Sequence, residues 1–248
     1  MIWAARALLL LLPALWAGGA RAGFCEDRLY AGRSYTICEA DAARDEIRLF
    51  LRDGQDRLLG QFFAVEDLLK AQGKRLGFAM NAGMYHEDRS PVGHYRENGV
   101  ELMRVIPNAG PGNFGLLPNG VFCIRAGRAD VIETRRFLRE APQCDHASQS
   151  GPMLVIDGAL HPRFRAGSTS RYLRNGVATS ADGRRAVFVI SNERVSFHEM
   201  GSFIRDALKL PQALYFDGNV SRLYAPDMGR ADAGFLLGPI VGVVTAAD

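Results

Sequence analysis

The sequence predicts an α+β fold with mixed, mainly antiparallel sheets, two or three helices and a single domain. Short apolar runs bounded by Gly, Pro, Asn or Asp recur along the chain and are typical of strands. Only two segments show the apolar periodicity of a helix. No long linker, repeat or change of composition divides the 248 residues. A mostly antiparallel structure with few helices accounts for this pattern.

The first 22 residues have the pattern of a secretory signal peptide. Arg6 is the only charge before the apolar run Ala7–Trp16, and Ala20-Arg21-Ala22 provides a cleavage signal of small residues. The run is too short for a stable membrane span, so none is expected after cleavage. We expect a domain of residues 23–248 in the periplasm or outside the cell. An uncleaved N-terminal anchor is the alternative.

The charge of the mature chain gives no reason to expect a nucleic-acid partner. Cleavage removes Arg6 and Arg21 from the 30 Lys and Arg residues and none of the 27 Asp and Glu residues, so the net charge falls from +3 to +1. The remaining basic residues are scattered rather than gathered in a stripe. This length and charge fit a domain with a sizeable core.

The four cysteines suggest two disulfides, because an exported chain enters an oxidising compartment. Three pairings are possible. Cys25–Cys38 and Cys123–Cys144 are favoured because each closes a short loop, at a stabilisation of roughly 3 kcal/mol each. A zinc site is the competing interpretation, but no Cys-x-x-Cys or Cys/His spacing supports it. We therefore expect no metal.

The strand predictions follow the apolar runs. They cover residues 46–51, 76–80, 120–125, 129–134, 153–156, 177–179, 187–190, 213–216 and 240–244. Asp157-Gly158 and Asp182-Gly183 are typical hairpin turns.

The two predicted helices cover residues 63–72 and 197–210. Gly73 ends the first, and Pro211 follows the second. Ser196 and Glu199 have the spacing of a capping box at the start of the second helix.

Four polar blocks are the main indication of a site. They read NAGM from Asn81, QSGP from Gln149, RNGV from Arg174 and DGNVS from Asp217. Each places polar side chains beside a glycine, at or near the end of an apolar run. Glycine permits tight turns and close approach to a ligand, and loops at strand ends often carry function. We expect the blocks to converge on one polar pocket.

Each candidate residue also has a purely structural interpretation. Asp217 is placed for catalysis at a strand end, or is an Asx-turn residue. Arg174 offers a planar fork to phosphate or carboxylate, or is a charge on a surface turn. Asn81, Gln149 and Ser150 suit a hydroxyl-rich ligand, or satisfy backbone groups in tight loops. No G-x-S-x-G elbow, P-loop or dinucleotide fingerprint occurs, so no cofactor is expected.

The blocks and their surroundings resemble the phosphodiester glycosidase family, and the likeness covers nearly the whole mature chain. It rests on NAGMYHEDRSPVGHY, GNFGLLPNGVF, QSGPMLVIDG, RNGV and ALYFDGNVSRLYAP. The resemblance implies a pocket that contains Asn81, Gln149, Ser150, Arg174, Asp217, Gly218 and Ser221. One block departs from the family pattern, since a DGGGS-like sequence becomes Asp217-Gly218-Asn219-Val220-Ser221. Loss of two glycines is expected to limit how closely backbone can approach a ligand.

The resemblance implies cleavage of the glycosidic C–O bond of an N-acetylglucosamine-type sugar-1-phosphodiester. Arg174 would hold the phosphate and Asp217 would be the catalytic carboxylate. The expected partner is a glycan or sugar-phosphate substrate. The alternative is a carbohydrate-binding module of the cell envelope without catalysis. A second carboxylate facing Asp217 would favour the enzyme, and Asp217 alone, engaged by backbone groups, would favour the binding module. A protein-interaction role in envelope assembly would instead require a large exposed apolar patch.

Overall fold

Three antiparallel sheets form the body of the protein. The structure is a computed structural model, and it describes residues 23–247. Every strand pairing within residues 23–247 is antiparallel, and three α-helices accompany the sheets. The mainly antiparallel α+β fold with two or three helices is therefore confirmed. The predicted signal peptide, residues 1–22, lies outside the described residues.

The large sheet has seven strands and supplies the Asp217 and Arg174 blocks of the site. In spatial order its strands are β1 (Cys25–Tyr30), β2 (Arg33–Asp41), β13 (Arg185–Ser191), β12 (Asn175–Thr179), β14 (Gln212–Asp217), β10 (Met153–Ile156) and β11 (Ala159–Leu160). Asp157-Gly158 joins β10 to β11 and Asp182-Gly183 lies between β12 and β13, so both predicted hairpins are confirmed.

The second and third sheets have five strands each. In spatial order, the second contains β16 (Arg230–Ala231), β15 (Leu223–Ala225), β4 (Lys74–Asn81), β17 (Ile240–Ala246) and β3 (Glu46–Phe50). The third contains β6 (Val100–Met103), β5 (Tyr95–Glu97), β9 (His146–Ser150), β7 (Gly120–Arg125) and β8 (Arg128–Glu133). Every predicted strand is present, with ends displaced by at most two residues.

The helices lie outside this sheet framework. They are α1 (Phe62–Lys70), α2 (Thr134–Glu140) and α3 (Phe197–Ser202). Gly73, at φ +67°, lies just after α1, and the capping box of Ser196 and Glu199 begins α3 as predicted. The second predicted helix is not a uniform α-helix, because it widens into a π-helix at Phe203–Ala207. Phe203 stacks on Tyr35 at 4.2 Å there, so core packing sets the local geometry.

Phenylalanines from all three sheets meet in one core. Phe188 of the large sheet packs against Phe78 of the second at 5.2 Å and against Phe122 of the third at 5.7 Å. Phe122 also contacts Phe216, the residue before Asp217, at 6.3 Å. Burial of such side chains is the main stabilising contribution to a fold of this kind. The core thereby fixes the position from which Asp217 emerges.

Both favoured disulfides are present. Cys25–Cys38 joins the paired strands β1 and β2, and Cys123–Cys144 joins β7 to the segment before β9. Structural disulfides persist in oxidising compartments, so they indicate an extracytoplasmic location. Within residues 23–247, no helix is long and apolar enough to cross a membrane.

Candidate active site

The strand ends that carry the polar blocks converge. Asn81 at the end of β4 and Asn175 at the start of β12 exchange side-chain hydrogen bonds at 3.1 Å, and both are fully buried. Asn81 Oδ1 also accepts a hydrogen bond from the Arg222 backbone N–H at 3.0 Å. Ser221 Oγ lies 3.0 Å from the carbonyl oxygens of Leu173 and Asp217. These side chains join the second sheet to the large sheet below the site.

Gln149 and Ser150 join the third sheet to the same region. Gln149 Oε1 accepts hydrogen bonds from the backbone N–H groups of His94 and Ile106, and its Nε2 donates to the Ile106 carbonyl at 2.7 Å. Ser150 Oγ donates to the carbonyl of Phe216 at 3.1 Å. Both side chains are buried and engaged by protein groups. They hold loops and strand ends in place, as the structural interpretation of such residues requires.

Asp217 emerges from this junction with two unlike carboxylate oxygens. Oδ1 accepts hydrogen bonds from the backbone N–H groups of Gly218, at 2.5 Å, and Asn219, at 2.8 Å. A third backbone N–H group, that of Val220, also faces the carboxylate, and no side chain in the described part of the chain donates a hydrogen bond to Oδ2. Burial raises the pKa of the Asp217 carboxyl, and backbone N–H groups of Asn219, Gly218 and Val220 oppose this only in part. The carboxylate is thus fixed in orientation by backbone N–H groups, and no side chain is bonded to Oδ2 among the described residues.

Gly218 allows the turn after Asp217 to pack against Tyr215. A Cβ atom at position 218 would lie 2.2 Å from the Tyr215 hydroxyl oxygen. Gly218, Asn219 and Val220 are not among the residues with positive φ. The sequence Asn219-Val220 therefore fits this turn without the backbone strain that lost glycines could cause. The essential property of Gly218 is its lack of a side chain.

A cleft of about 590 Å³ opens at Asp217. Three tyrosines, one carboxylate and several backbone segments surround it. Its lining residues are Met84, Tyr85, Val92, Gly112, Asn113, Ser170, Tyr172, Tyr215, Asp217, Gly218, Asn219 and Val220. Among the described residues that line the cleft, Asp217 is the only carboxylate. Of the predicted site residues, only Asp217 and Gly218 line it, while Asn81, Gln149, Ser150 and Ser221 form the hydrogen-bonded layer that supports it.

The charge of Asp217 acts on the hydroxyl group of Tyr85. Burial raises the pKa of the Tyr85 hydroxyl, and the negative charge of Asp217 raises it further. The ring packs against Gly238, where a Cβ atom would lie 2.5 Å from the ring carbon Cγ. A tyrosine held in this way presents an aromatic face and a hydroxyl donor, two groups that suit a sugar.

Arg174 lies behind the cleft wall. Its side chain is 1% exposed, and its guanidinium carbon lies 3.7 Å from the ring centroid of Phe197. Nε donates to the Val195 carbonyl at 2.8 Å and Nη2 to the Ser170 carbonyl at 3.1 Å. Nη1 has no hydrogen-bond partner within the part of the chain described. Burial lowers the pKa of Arg174, but a guanidinium remains charged in proteins.

The charge of Arg174 is not neutralised by a carboxylate. None of its ion pairs or hydrogen bonds within residues 23–247 involves Asp or Glu, and the groups that raise its pKa are Tyr215 and Tyr172. Both tyrosines line the cleft, as does Ser170. A buried cation is normally paired, so this guanidinium places uncompensated positive charge directly behind the cleft.

Groups that could bind a metal are dispersed. Within residues 23–247, no three His, Cys, Asp or Glu side chains are grouped closely enough to hold a metal ion.

Comparison with known proteins identifies the family. The model of the phosphodiester glycosidase family matches residues 74–232, which include every predicted site residue. The chain belongs to the phosphodiester glycosidase family. Members are hydrolases, so the family implies a glycan substrate. The resemblance on the four polar blocks is thus confirmed.

Relatives agree with this family assignment. The uncharacterized protein YigE of Escherichia coli (strain K12) is 30% identical over 216 residues, which cover 87% of this chain and 82% of YigE. The auto-inhibited catalytic domain of zebrafish N-acetylglucosamine-1-phosphodiester alpha-N-acetylglucosaminidase superposes with a TM-score of 0.60 at 12% identity, over 89% of this chain and 81% of that one. An exported protein of Burkholderia pseudomallei K96243 superposes with a TM-score of 0.55 at 11% identity, over 85% of this chain and 74% of that one. At these identities the two structures show a shared fold.

The sequence analysis did not identify the three tyrosines of the cleft, although the sequence contains a signal for two of them. Tyr215 and Asp217 are two residues apart on β14, so strand alternation places both on one face of the sheet. Tyr85 directly follows the NAGM block. Tyr172 carries no comparable signal, because it lies in a loop whose path depends on tertiary contacts with Val195.

Proposed function

We propose that this family member hydrolyses the glycosidic C–O bond of a sugar-1-phosphodiester of the N-acetylglucosamine type, in the periplasm or outside the cell. The observation that carries the proposal is the pair of opposite charges at one cleft. Asp217 lines the cleft as its only carboxylate among the described lining residues, and the buried Arg174 lies behind the wall formed by Ser170, Tyr172 and Tyr215.

The chemistry of the leaving group explains why one carboxylate suffices. A phosphodiester departs from C1 as a stable phosphate monoester anion, so it needs little protonation. The carboxylic acid that most glycosidases use as general acid is then dispensable. In the proposed step the C1–O bond breaks, its electron pair stays on the phosphate oxygen, and water adds to C1. Asp217 Oδ2 stabilises the developing positive charge at C1 or accepts the proton of water.

Arg174 supplies positive charge where the phosphate leaves. Nη1 makes no close hydrogen bond, and the Tyr215 hydroxyl at the cleft is the polar side chain that interacts with the guanidinium, so an N–H group is available on the side that faces the cleft. Direct contact requires movement of the wall, and Tyr172 is half-exposed while Ser170 is also exposed. Without such movement the guanidinium acts through space, in a site where low dielectric strengthens the interaction.

The remaining predicted residues have supporting roles in this proposal. Gly218 lines the cleft, while Asn81, Gln149, Ser150 and Ser221 keep four loops in register beneath it. The aromatic faces of Tyr85 and Tyr172 are then the groups that contact the sugar ring. An N-acetyl group would pack against the apolar wall of Met84 and Val92.

A carbohydrate-binding module without catalysis is the second candidate. It is favoured by one observation: Asp217 is the only carboxylate on the described cleft wall, and its Oδ1 is engaged by backbone N–H groups. The ionisable carboxylate in the cleft wall and the Arg174 guanidinium, which has no carboxylate partner within residues 23–247, favour the enzyme. The two candidates differ in turnover and not in the ligand that they bind.

The test is hydrolysis of UDP-N-acetylglucosamine and simple sugar-1-phosphodiesters by the mature protein, with and without EDTA. C–O cleavage of the nucleotide sugar releases N-acetylglucosamine and UDP, whereas attack at the internal phosphorus linkage releases N-acetylglucosamine 1-phosphate and UMP. The proposal expects the first pair of products, unchanged by EDTA and lost in Asp217→Asn.

A charge-retaining variant tests the role of Arg174. Arg174→Lys keeps the charge and loses the planar fork, so we expect kcat/KM to fall about tenfold or more. Arg139→Lys, on α2, is the matched control and should leave kcat/KM unchanged. Binding of the substrates by calorimetry without any turnover would establish the binding module instead.

A further inference from the structure

A second pocket adjoins the Asp217 cleft across a narrow ridge. It has a volume of about 300 Å³ and shares Tyr172, Gly218, Asn219 and Val220 with the cleft. The ridge is therefore the turn that follows the proposed catalytic residue. Any group that extends from the bond at Asp217 across this turn enters the second pocket.

The walls of the second pocket are cationic. Arg194 and Arg222 line it, and no Asp or Glu is present among its described lining residues. Arg194 is exposed, and within residues 23–247 its side chain makes no ion pair or hydrogen bond. This charge is free to bind an anion from solution.

Arg222 is built into the wall rather than placed on the surface. Its side chain is 4% exposed. Nη1 donates to Gln61 Oε1 at 3.2 Å and Nη2 to the Phe235 carbonyl, while Nε has no partner in the described part of the chain. The segment that carries Gly234 and Phe235 wraps around the guanidinium, since a Cβ atom on Gly234 would lie 3.3 Å from Nη1. A buried cation fixed by neutral groups is the arrangement of an anion site.

The rim of the pocket is apolar. Phe235 is 86% exposed, and Leu173 and Tyr172 are close to half-exposed. Solvent-exposed apolar side chains beside two arginines that make no ion pair among the described residues suit a ligand that has a ring or carbon skeleton with a negative charge.

We propose that this pocket is the subsite for the aglycone of the phosphodiester, and that it selects an aglycone with an anionic group of its own. The inference rests on the proposed function, because it places the sugar at Asp217 and the scissile phosphate at the ridge. Arg194 and Arg222 bind the additional anion, and Phe235 covers the carbon skeleton that carries it. A carboxylate, as in an acidic sugar, and a phosphate share this chemistry.

Three matched substrates test the subsite. They are N-acetylglucosamine 1-phosphodiesters whose second ester is 2-hydroxyethyl, 2-carboxyethyl or 2-phosphoethyl. We expect kcat/KM for each of the two substrates with a charged ester group (the charged arms) to be at least tenfold higher than for the 2-hydroxyethyl ester (the neutral arm). The charged substrate with the higher kcat/KM identifies whether the pocket prefers a carboxylate or a phosphate. Arg194→Gln should reduce the ratio of kcat/KM between charged and neutral substrates to about threefold or less. Arg139→Gln, which changes a remote exposed arginine, should leave this ratio at the wild-type value.

Equal kcat/KM for the three substrates, or a ratio that Arg194→Gln leaves unchanged, would overturn the proposal. If no substrate is hydrolysed, the proposed function fails and the subsite is tested by binding alone. Calorimetric titration with the three phosphodiesters should then show tighter binding of the charged arms, lost in Arg194→Gln. Equal affinities would overturn the subsite independently of catalysis.

Discussion

At the scale of the residue, the two oxygens of Asp217 define the site. Backbone N–H groups fix Oδ1, and no side chain among the described residues is hydrogen-bonded to Oδ2. The sequence indicated both interpretations of this residue, the Asx turn and the catalytic carboxylate. The structure shows that one side chain makes the turn contacts and still lines a cleft, so the two interpretations are compatible.

Asp217→Asn should reduce kcat/KM by about 10²–10⁴-fold, because an amide cannot stabilise positive charge at C1 or accept a proton. Its Oδ1 can still accept the turn hydrogen bonds, so the fold is retained. Steady-state hydrolysis of a sugar-1-phosphodiester measures the loss, and Asp67→Asn on the exposed side of α1 is the control. Equal rates in wild type and Asp217→Asn would remove this assignment.

The raised pKa of Asp217 predicts both a pH profile and a stability effect. Catalysis needs the carboxylate, so kcat/KM should fall as the pH drops through a pKa above the ordinary 3.8 of Asp. Because the folded pKa is raised, the ionised group costs stability above that pKa and the cost disappears as the pH falls below 3.8.

Asp217→Asn should therefore have a melting temperature at pH 7 equal to or above that of wild type. Thermal unfolding at pH 7 and pH 3.5 measures the difference, which should shrink at the lower pH. A large loss of stability in Asp217→Asn at pH 7 would contradict burial as the cause of the pKa shift.

At the scale of the element, the turn after β14 is shaped by a side chain that precedes it. Tyr215 Oη occupies the space that a Cβ at position 218 would need. The sequence suggested that glycine here provides backbone freedom, but φ at Gly218 is not positive. The requirement is steric, and a sequence pattern cannot distinguish close packing from conformational freedom.

Gly218→Ala should lower kcat/KM about tenfold or more, because either the turn or Tyr215 must move. Adding Tyr215→Phe removes the hydroxyl that blocks the new methyl group, so the double variant should recover part of the loss. Gly54→Ala is the control, because no atom lies within 4 Å of a Cβ there and φ is not positive. Additive losses in the double variant would show that the clash is not the cause.

Most elements could be predicted from local pattern, and the exceptions have identifiable reasons. Nine strands, among them Glu46–Phe50 and Ile240–Ala246, carry apolar runs that periodicity detects, whereas strands such as Cys25–Tyr30 and Tyr95–Glu97 are too polar to show one and were missed. The helix α2 was missed because its start, Thr134, had been included in the preceding strand. The π-helix at Phe203–Ala207 depends on the stacking of Phe203 on Tyr35, 168 positions away in sequence, which no local pattern encodes.

At the scale of the whole molecule, four loops from three sheets are joined by a buried polar layer. The prediction that Asn81, Gln149, Ser150 and Ser221 belong to one site rests on their glycine-containing blocks at or near strand ends and on the resemblance of those blocks to the family. Their proximity could thus be predicted, but their orientation could not. Whether an amide faces a ligand or a carbonyl depends on the packing of sheets far apart in sequence.

The two disulfides add covalent links within this assembly. Removing Cys123–Cys144 as the double variant Cys123→Ala, Cys144→Ala should lower the free energy of unfolding by about 3 kcal/mol, since the bond closes a loop with a sequence separation of 21. Denaturant unfolding measures the change. The wild-type protein, unfolded without reductant, should show no reactive thiol, and detection of one or more would contradict the pairing.

The position of bond cleavage tests the central claim most directly. Hydrolysis of N-acetylglucosamine 1-(methyl phosphate) in H₂¹⁸O releases the same two products whether C–O or P–O breaks, but the label goes to different atoms. Attack at C1 predicts methyl phosphate without ¹⁸O, and mass spectrometry of that product measures it. Methyl phosphate that contains one ¹⁸O atom would show attack at phosphorus and contradict the role assigned to Asp217.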